Sequence, residues 1–292
     1  MAIDNFIPTV WSARLLQSLE KALVYAQAGI VNRDYEGEIR QAGDKVRINT
    51  LGPDAVKSYT KNGTVADPDV LMDATQLLEI TEADYFNFLI DDIDKAQQVP
   101  KVMEQAMRNA ALALADAADQ YLAGVMAAAV PAANTQNGSG TGVTIGYGSG
   151  ETNPYIALLN AAIDLDEANV PRTGRWAIVP PWFHGYLLMD QRFVGSGAAT
   201  ADQRLTNGFV GQAAGFDIYL SNNVPNTSGT DYKVLLGTSY ATAYAEQINS
   251  VEAYRPQDRF ADAVKGLHLY GAKVVYPSAL ALIVADIGTA PA

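Results

Sequence analysis

Apolar positions along this chain recur with two different periods, and the places where the period changes divide it into elements. From Pro8 to Ala28, Trp11, Leu15, Leu19 and Leu23 return every four residues with Leu16 beside them, which predicts an amphipathic helix closed at Gly29. From Asp44 the period becomes two. Val46, Ile48 and Leu51 alternate with Lys45, Arg47 and Asn49, a half-buried strand that stops at Gly52-Pro53. The stretch Val56–Thr60, the turn Asn62-Gly63, the loop Asp67-Pro68-Asp69 and the run Gln76–Ile90 then predict an extended hairpin arm. An arm with so few apolar residues is marginal alone, so it must lie on this chain or on another subunit.

The longest helix is predicted from Pro100 to Ala129, where Met103, Met107, Ala110, Leu114, Ala117 and Tyr121 step by four and three. A second row, Leu112, Ala115, Ala118 and Leu122, widens its buried face. At 1.5 Å per residue this rod is about 45 Å long, a spine on which other elements pack. The acidic cluster Asp91, Asp92 and Asp94 reads as the favourable charge before a helix start. Asn134–Thr152 is rich in Gly, Ser, Thr and Asn and predicts a flexible loop or hairpin between subdomains. Asn153-Pro154 caps a helix running to about Ala168; Trp176–Val179 is a short buried strand; Pro180-Pro181 opens a helix carrying Trp182, Phe183, Leu187 and Leu188. Strands follow near Phe209–Val210, Phe216–Leu220 and Lys233–Leu236, then a short helix over Tyr240–Gln247. The chain closes with strands at Val251–Tyr254, Val264–Val275 and Leu280–Asp286. The fold class is α+β.

Composition narrows the function. The 292 residues are 49% apolar and 18% charged, enough for one large core or two modest ones, with fewer charges than the roughly 25% of ordinary soluble domains. That deficit is a weak sign of a surface that meets protein. With 20 basic and 32 acidic residues the net charge is -12, so general attraction to phosphates is absent and a dedicated nucleic-acid binder is disfavoured. There are no cysteines, which removes disulfides, thiol nucleophiles and cysteine zinc sites. The N-terminus lacks the basic and apolar regions of a secretory signal, and no stretch is apolar enough for a membrane span, so no membrane partner is expected.

Catalytic and ligand motifs are equally sparse. No phosphate-binding loop occurs, and the glycines from Gly138 to Gly150 have the wrong spacing for a dinucleotide fingerprint. His184 and His268 lie apart with no metal-ligand spacing, so neither a metal nor a cofactor is expected. Ser239, in Gly237-Thr238-Ser239-Tyr240-Ala241, faintly resembles a nucleophile elbow with His268 as its only downstream base. The second glycine is missing and a helix-capping serine is the simpler reading. Arg255 and Arg259 flank Asp258 in a loop between strands, where their forks suit carboxylate pairing within or between subunits. No catalytic residues are expected, and the chain reads as a non-enzyme.

Several stretches together resemble a known family. They are Trp11-Ser12-Ala13-Arg14-Leu15-Leu16, Val31–Ile39, Gly43–Thr50, Asp91–Gln97, Ala113-Leu114-Ala115-Asp116 and Leu165–Pro171, followed by Gly215-Phe216 leading to Ser221–Pro225, then Ala261–Leu267 before Tyr270–Val275. Their order resembles the major capsid proteins of tailed bacteriophages, with the Hong Kong ninety-seven type fold, and is closest to the branch of P22-like coat proteins. The resemblance implies an N-arm at 1–35, an E-loop at 36–90, the spine helix and connecting loop of a peripheral domain at 91–152, an axial domain at 153–245, and C-terminal strands returning to the peripheral domain at 246–292. It implies pentamers and hexamers in an icosahedral shell around double-stranded DNA, held without sequence-specific binding and with an acidic lining that keeps the DNA mobile. It further implies a portal and, since the arm begins at Met1, a separate scaffolding protein, with assembly in the bacterial cytoplasm and residence in the virion. Trp11, Lys57, Tyr59, Lys61, Arg255 and Arg259 are the candidate intersubunit contacts. Lys57 and Lys61 read as exposed-arm lysines, not as covalent crosslinks. A nanocompartment shell of the same fold and, in a different class, a serine hydrolase using Ser239 and His268 are the alternatives.

Overall fold

The computed structural model describes residues 23–34, 45–51, 61, 73–91, 102–137, 140, 142–190, 209–257 and 261–290. The first predicted helix, apart from its last residues, and most of the hairpin arm lie outside these. Among the described residues there are three sheets and one long helix.

The helix α1 runs from Val102 to Ala129. Its buried line is Met107, Ala111, Leu114, Ala115, Ala118, Leu122, Ala123 and Met126, rotated from the expected rows so that Leu112 faces solvent. Small alanines on that line let strands approach its backbone closely, and Pro131 follows its end. The large sheet has the order β4-β12-β9-β6-β8-β7, with β5 also on β12. Its strands are β4 (Thr135–Gln136), β5 (Val143–Ile145), β6 (Arg175–Val179), β7 (Phe209–Ala213), β8 (Phe216–Leu220), β9 (Tyr232–Thr238) and β12 (Leu280–Ile287). β6 runs parallel to β8 and is buried along its whole length, as a strand covered on both faces must be.

Helix α2 (Pro154–Glu167) starts as its sequence dictates: the Asn153 side chain accepts the Tyr155 N–H at 2.9 Å and Pro154 takes the first turn. It ends at Asn169, whose φ of 58° is the left-handed conformation that asparagine tolerates best among residues with a Cβ. Arg175, 4% exposed, staples this end by donating to Asp166 Oδ1 at 2.7 Å and to the carbonyl of Pro171 at 2.9 Å. Helix α3 spans Pro181–Leu188.

The second sheet is a long antiparallel ribbon, β10 (Thr242–Tyr254), β11 (Ala261–Val274) and β3 (Glu82–Asp91), with β11 in the middle. The third pairs β1 (Lys45–Leu51) with β2 (Asp73–Glu79). This hairpin root sits on the ribbon through Val46, Ile48, Leu78 and Ile80 packed against Ala243, Ala245, Leu269 and Val275. The expected alternation of Val46 and Ile48 with Arg47 is present.

Three expectations change. Tyr240–Gln247 is not a helix but a 3₁₀ turn, Ser239–Ala241, leading into β10. Ala243 and Ala245 join the hairpin-root cluster, whereas Tyr244 packs into the main core, so the true period is two. Gln76–Ile90 is two strands in different sheets, parted at Ile80-Thr81. Asp91 closes β3, and Asp92 and Asp94 lie outside the described residues. The glycine-rich segment is anchored: β4 and β5 run parallel to β12, and Glu151 accepts the Gly148 N–H at 2.8 Å and the Thr289 hydroxyl at 2.8 Å.

Candidate subunit-contact surfaces

Residues 23–34 form a strap that crosses the spine helix and the ribbon. Its first anchor is Asp119, a carboxyl 1% exposed on the buried line of α1, which accepts the N–H of Val24 at 2.8 Å and of Tyr25 at 3.2 Å. Burial drives its pKa up to about 7, against the lowering effect of the N–H groups of Val24, Tyr25 and Ala26. The second anchor is a bridge between Asn32 and Ala243 on the edge of β10. There Asn32 N–H donates to Thr242 O and Tyr244 N–H to Asn32 O, both at 2.9 Å. The third is Arg33, whose guanidinium donates to Glu246 and to the Ala26 carbonyl at 3.2 Å. Glu246 also accepts the Tyr244 hydroxyl at 2.8 Å and lies 3.3 Å from His268 Nε2. Burial raises the Glu246 pKa, but the hydrogen bond from His268 and the charge of Arg33 outweigh it and hold the carboxyl below its usual value.

Large apolar side chains are exposed on several surfaces, the outer ribbon face and helix α2 among them. The outer ribbon face presents Tyr85, 75% exposed, with Leu89 and Tyr254. Tyr254 shares hydrogen bonds with Asn87 and lies beneath the Lys265 ammonium, 5.4 Å from the ring centre, while Lys265 pairs with Glu252 at 2.9 Å. Tyrosines held this way are the residue type that anchors protein interfaces. On α2, Ile156, Leu159 and Ile163 lie outward beside an open cleft of about 610 Å³ lined by Gln136, Thr144, Asn160 and Asp164.

Of the expected contact residues, Lys61 is exposed in a turn and Arg255 is exposed just past the end of β10, next to Tyr254. Trp11, Lys57, Tyr59 and Arg259 lie outside the described residues. Ser239 and His268 are not brought together. His268 is fully buried opposite Ile248, and the six steps along β10 from Thr242 to Ile248 alone span about 20 Å at ~3.3 Å each. Among the described residues no group of three or more His, Asp or Glu could hold a metal, and no helix is long and apolar enough to cross a membrane. Sequence reasoning missed Asp119, although a carboxylate between Ala115 and Leu122 on an apolar helix row was a readable signal. It also missed the α2 stripe, because Ile156, Leu159 and Ile163 look like core.

The described residues are built around contacts: a spine, a hairpin root on a ribbon, a buried strap and exposed apolar faces. Residues 78–283 match the phage capsid protein family. A solved structure from Mycobacterium phage Che8 is 31% identical, with 96% of this chain and 98% of that one covered and a TM-score of 0.63. The capsid structure of the cyanophage P-SCSP1u is 19% identical over 92% of this chain and 90% of that one, with a TM-score of 0.67. The virus-like particle from Pyrococcus furiosus shares the fold at 13% identity and a TM-score of 0.53, over 96% of this chain and all of that one (100%). No curated protein matches the sequence. The chain belongs to the phage capsid protein family. It has the Hong Kong ninety-seven type fold and is the major capsid protein of a tailed bacteriophage, a component of the virion shell formed from many copies.

Proposed function

We propose that the chain forms pentamers and hexamers that close into an icosahedral shell around double-stranded DNA, without catalytic activity. The observation that carries this reading is the hairpin root. β1 and β2 are fixed to the ribbon by a small cluster, which gives the ends of an extended arm a firm base on the chain, as an arm laid over a neighbouring subunit needs. In this reading 1–35 is the N-arm, 36–90 the E-loop laid over the adjacent subunit, and 91–152 the spine and connecting loop of the peripheral domain. Residues 153–245 form most of the axial domain, and 246–292 the closing strands. The strand β10 runs across residue 245, and β12 lies beside β9 in the large sheet. A separate scaffolding protein and a portal complete the assembly in the bacterial cytoplasm.

Electron microscopy of the purified chain, expressed alone and with its candidate scaffolding protein, tests this directly. Closed shells are the expected result. Particles that enclose a cargo enzyme and never DNA would favour the nanocompartment reading, and a chain that stays monomeric in both preparations and in the virion would overturn the shell.

A further inference from the structure

Helix α2 is apolar on two faces. Ala157, Leu158, Ala161 and Leu165 are fully buried in the core of the chain, which accounts for one of them. Ile156, Leu159 and Ile163, 39%, 43% and 47% exposed, form a second line at i, i+3 and i+7, about 10 Å long at 1.5 Å per residue. No ionisable side chain other than Tyr155 occurs in the helix before Asp164, so this line can be covered without desolvating a charge. A surface helix of a monomer does not keep such a line in water.

Family membership supplies the partner, another copy of this chain. In a closed ring of identical subunits the contact is heterologous, so the stripe meets a different patch on its neighbour. Around the large sheet, Tyr240 and Tyr276 are already paired edge to face with ring centres 5.8 Å apart, and Ile287 stands singly. The other adjacent pair of exposed large apolar side chains among the described residues there is Leu188 and Met189, 49% and 58% exposed at the end of α3. We propose that the Ile156–Leu159–Ile163 stripe of one copy packs on Leu188 and Met189 of the next copy around each capsomer ring. This rests on the shell reading and names the surfaces that would make it.

The absence of cysteine makes the test clean. In assembled particles carrying Ile163→Cys together with Met189→Cys, a short bis-maleimide is expected to produce a ladder of linked chains on a denaturing gel, ending at the ring size. Each single-cysteine variant should give no ladder. In parallel, Leu159→Glu and Ile163→Glu should leave helix content and melting unchanged while abolishing particles. Double-cysteine particles that form normally but yield no ladder, or glutamate variants that assemble at the unmodified yield, overturn the proposal and leave the shell intact. Dimers from Ile163→Cys alone would overturn the heterologous pairing, since the stripe would then face itself. A cysteine-free chain that assembles in no preparation removes the shell reading instead.

Discussion

Two demands meet at Asp119. The backbone N–H groups of the strap favour its charged form, and burial on the spine opposes it; burial wins, and the folded-state pKa rises from 3.8 to about 7. The folded chain therefore holds this proton more tightly than the unfolded chain does. Its contribution is fullest at low pH and is lost as pH rises from about 4 through about 7, an effect on the order of a few kcal/mol. His184, whose pKa burial lowers, acts in the opposite sense as pH rises toward 6.5, so the wild-type slope alone is not diagnostic. Glu246, with its lowered pKa, acts only at more acidic pH. Urea unfolding of the unassembled chain at about pH 5 and about pH 8 should show that Asp119→Asn removes a component that favours the acidic condition. Identical pH dependence in the two proteins would contradict the burial argument.

At the level of elements, the joint between the hairpin root and the ribbon is set by close backbone approach. A Cβ added at Gly271 on β11 would stand 2.4 Å from the Glu79 carbonyl oxygen and 3.0 Å from the Ile80 Cα, and neither backbone atom can swing aside. Gly271→Ala should destabilise the chain by roughly 1–3 kcal/mol and, in hydrogen exchange, open β1 and β2 before the large sheet. Unchanged protection of β1 and β2 would mean that the root is held elsewhere. This joint also marks how far the sequence could be read. The period-two pattern of Val46 and Ile48, the Asn153 cap and the long alanine-rich spine were legible because each is local. The strand β10 was not, because alanines at 243 and 245 look equally at home in a helix and acquire their meaning from Val46 and Leu78 far along the chain. The Asn134–Thr152 segment read as flexible because its anchor, Thr289, lies at the other end of the sequence. The α2 stripe was missed for a related reason, since its second apolar face is invisible until the first is seen to be filled.

For the whole molecule, charge bears on what the shell can enclose. Acidic residues outnumber basic ones by 32 to 20. Several of the basic side chains are further spent within the chain: Arg33 on Glu246, Arg172 and Arg175 on Asp166, and Lys265 on Glu252. A chain with this acidic excess repels a phosphate backbone and releases few counterions on meeting it, so the affinity for duplex DNA should be low and nearly independent of salt. In the proposed shell, packaged DNA would then slide along the lining without sticking. In a gel-shift titration with duplex DNA, the unassembled chain should cause no retardation at about 0.15 M salt and gain none at about 0.05 M. A basic binder that makes several phosphate contacts would tighten by orders of magnitude over a similar range. Retardation that rises steeply as salt is lowered would reveal a local basic surface that net charge conceals, and the mobile-DNA lining would have to be abandoned in favour of a shell that grips its genome.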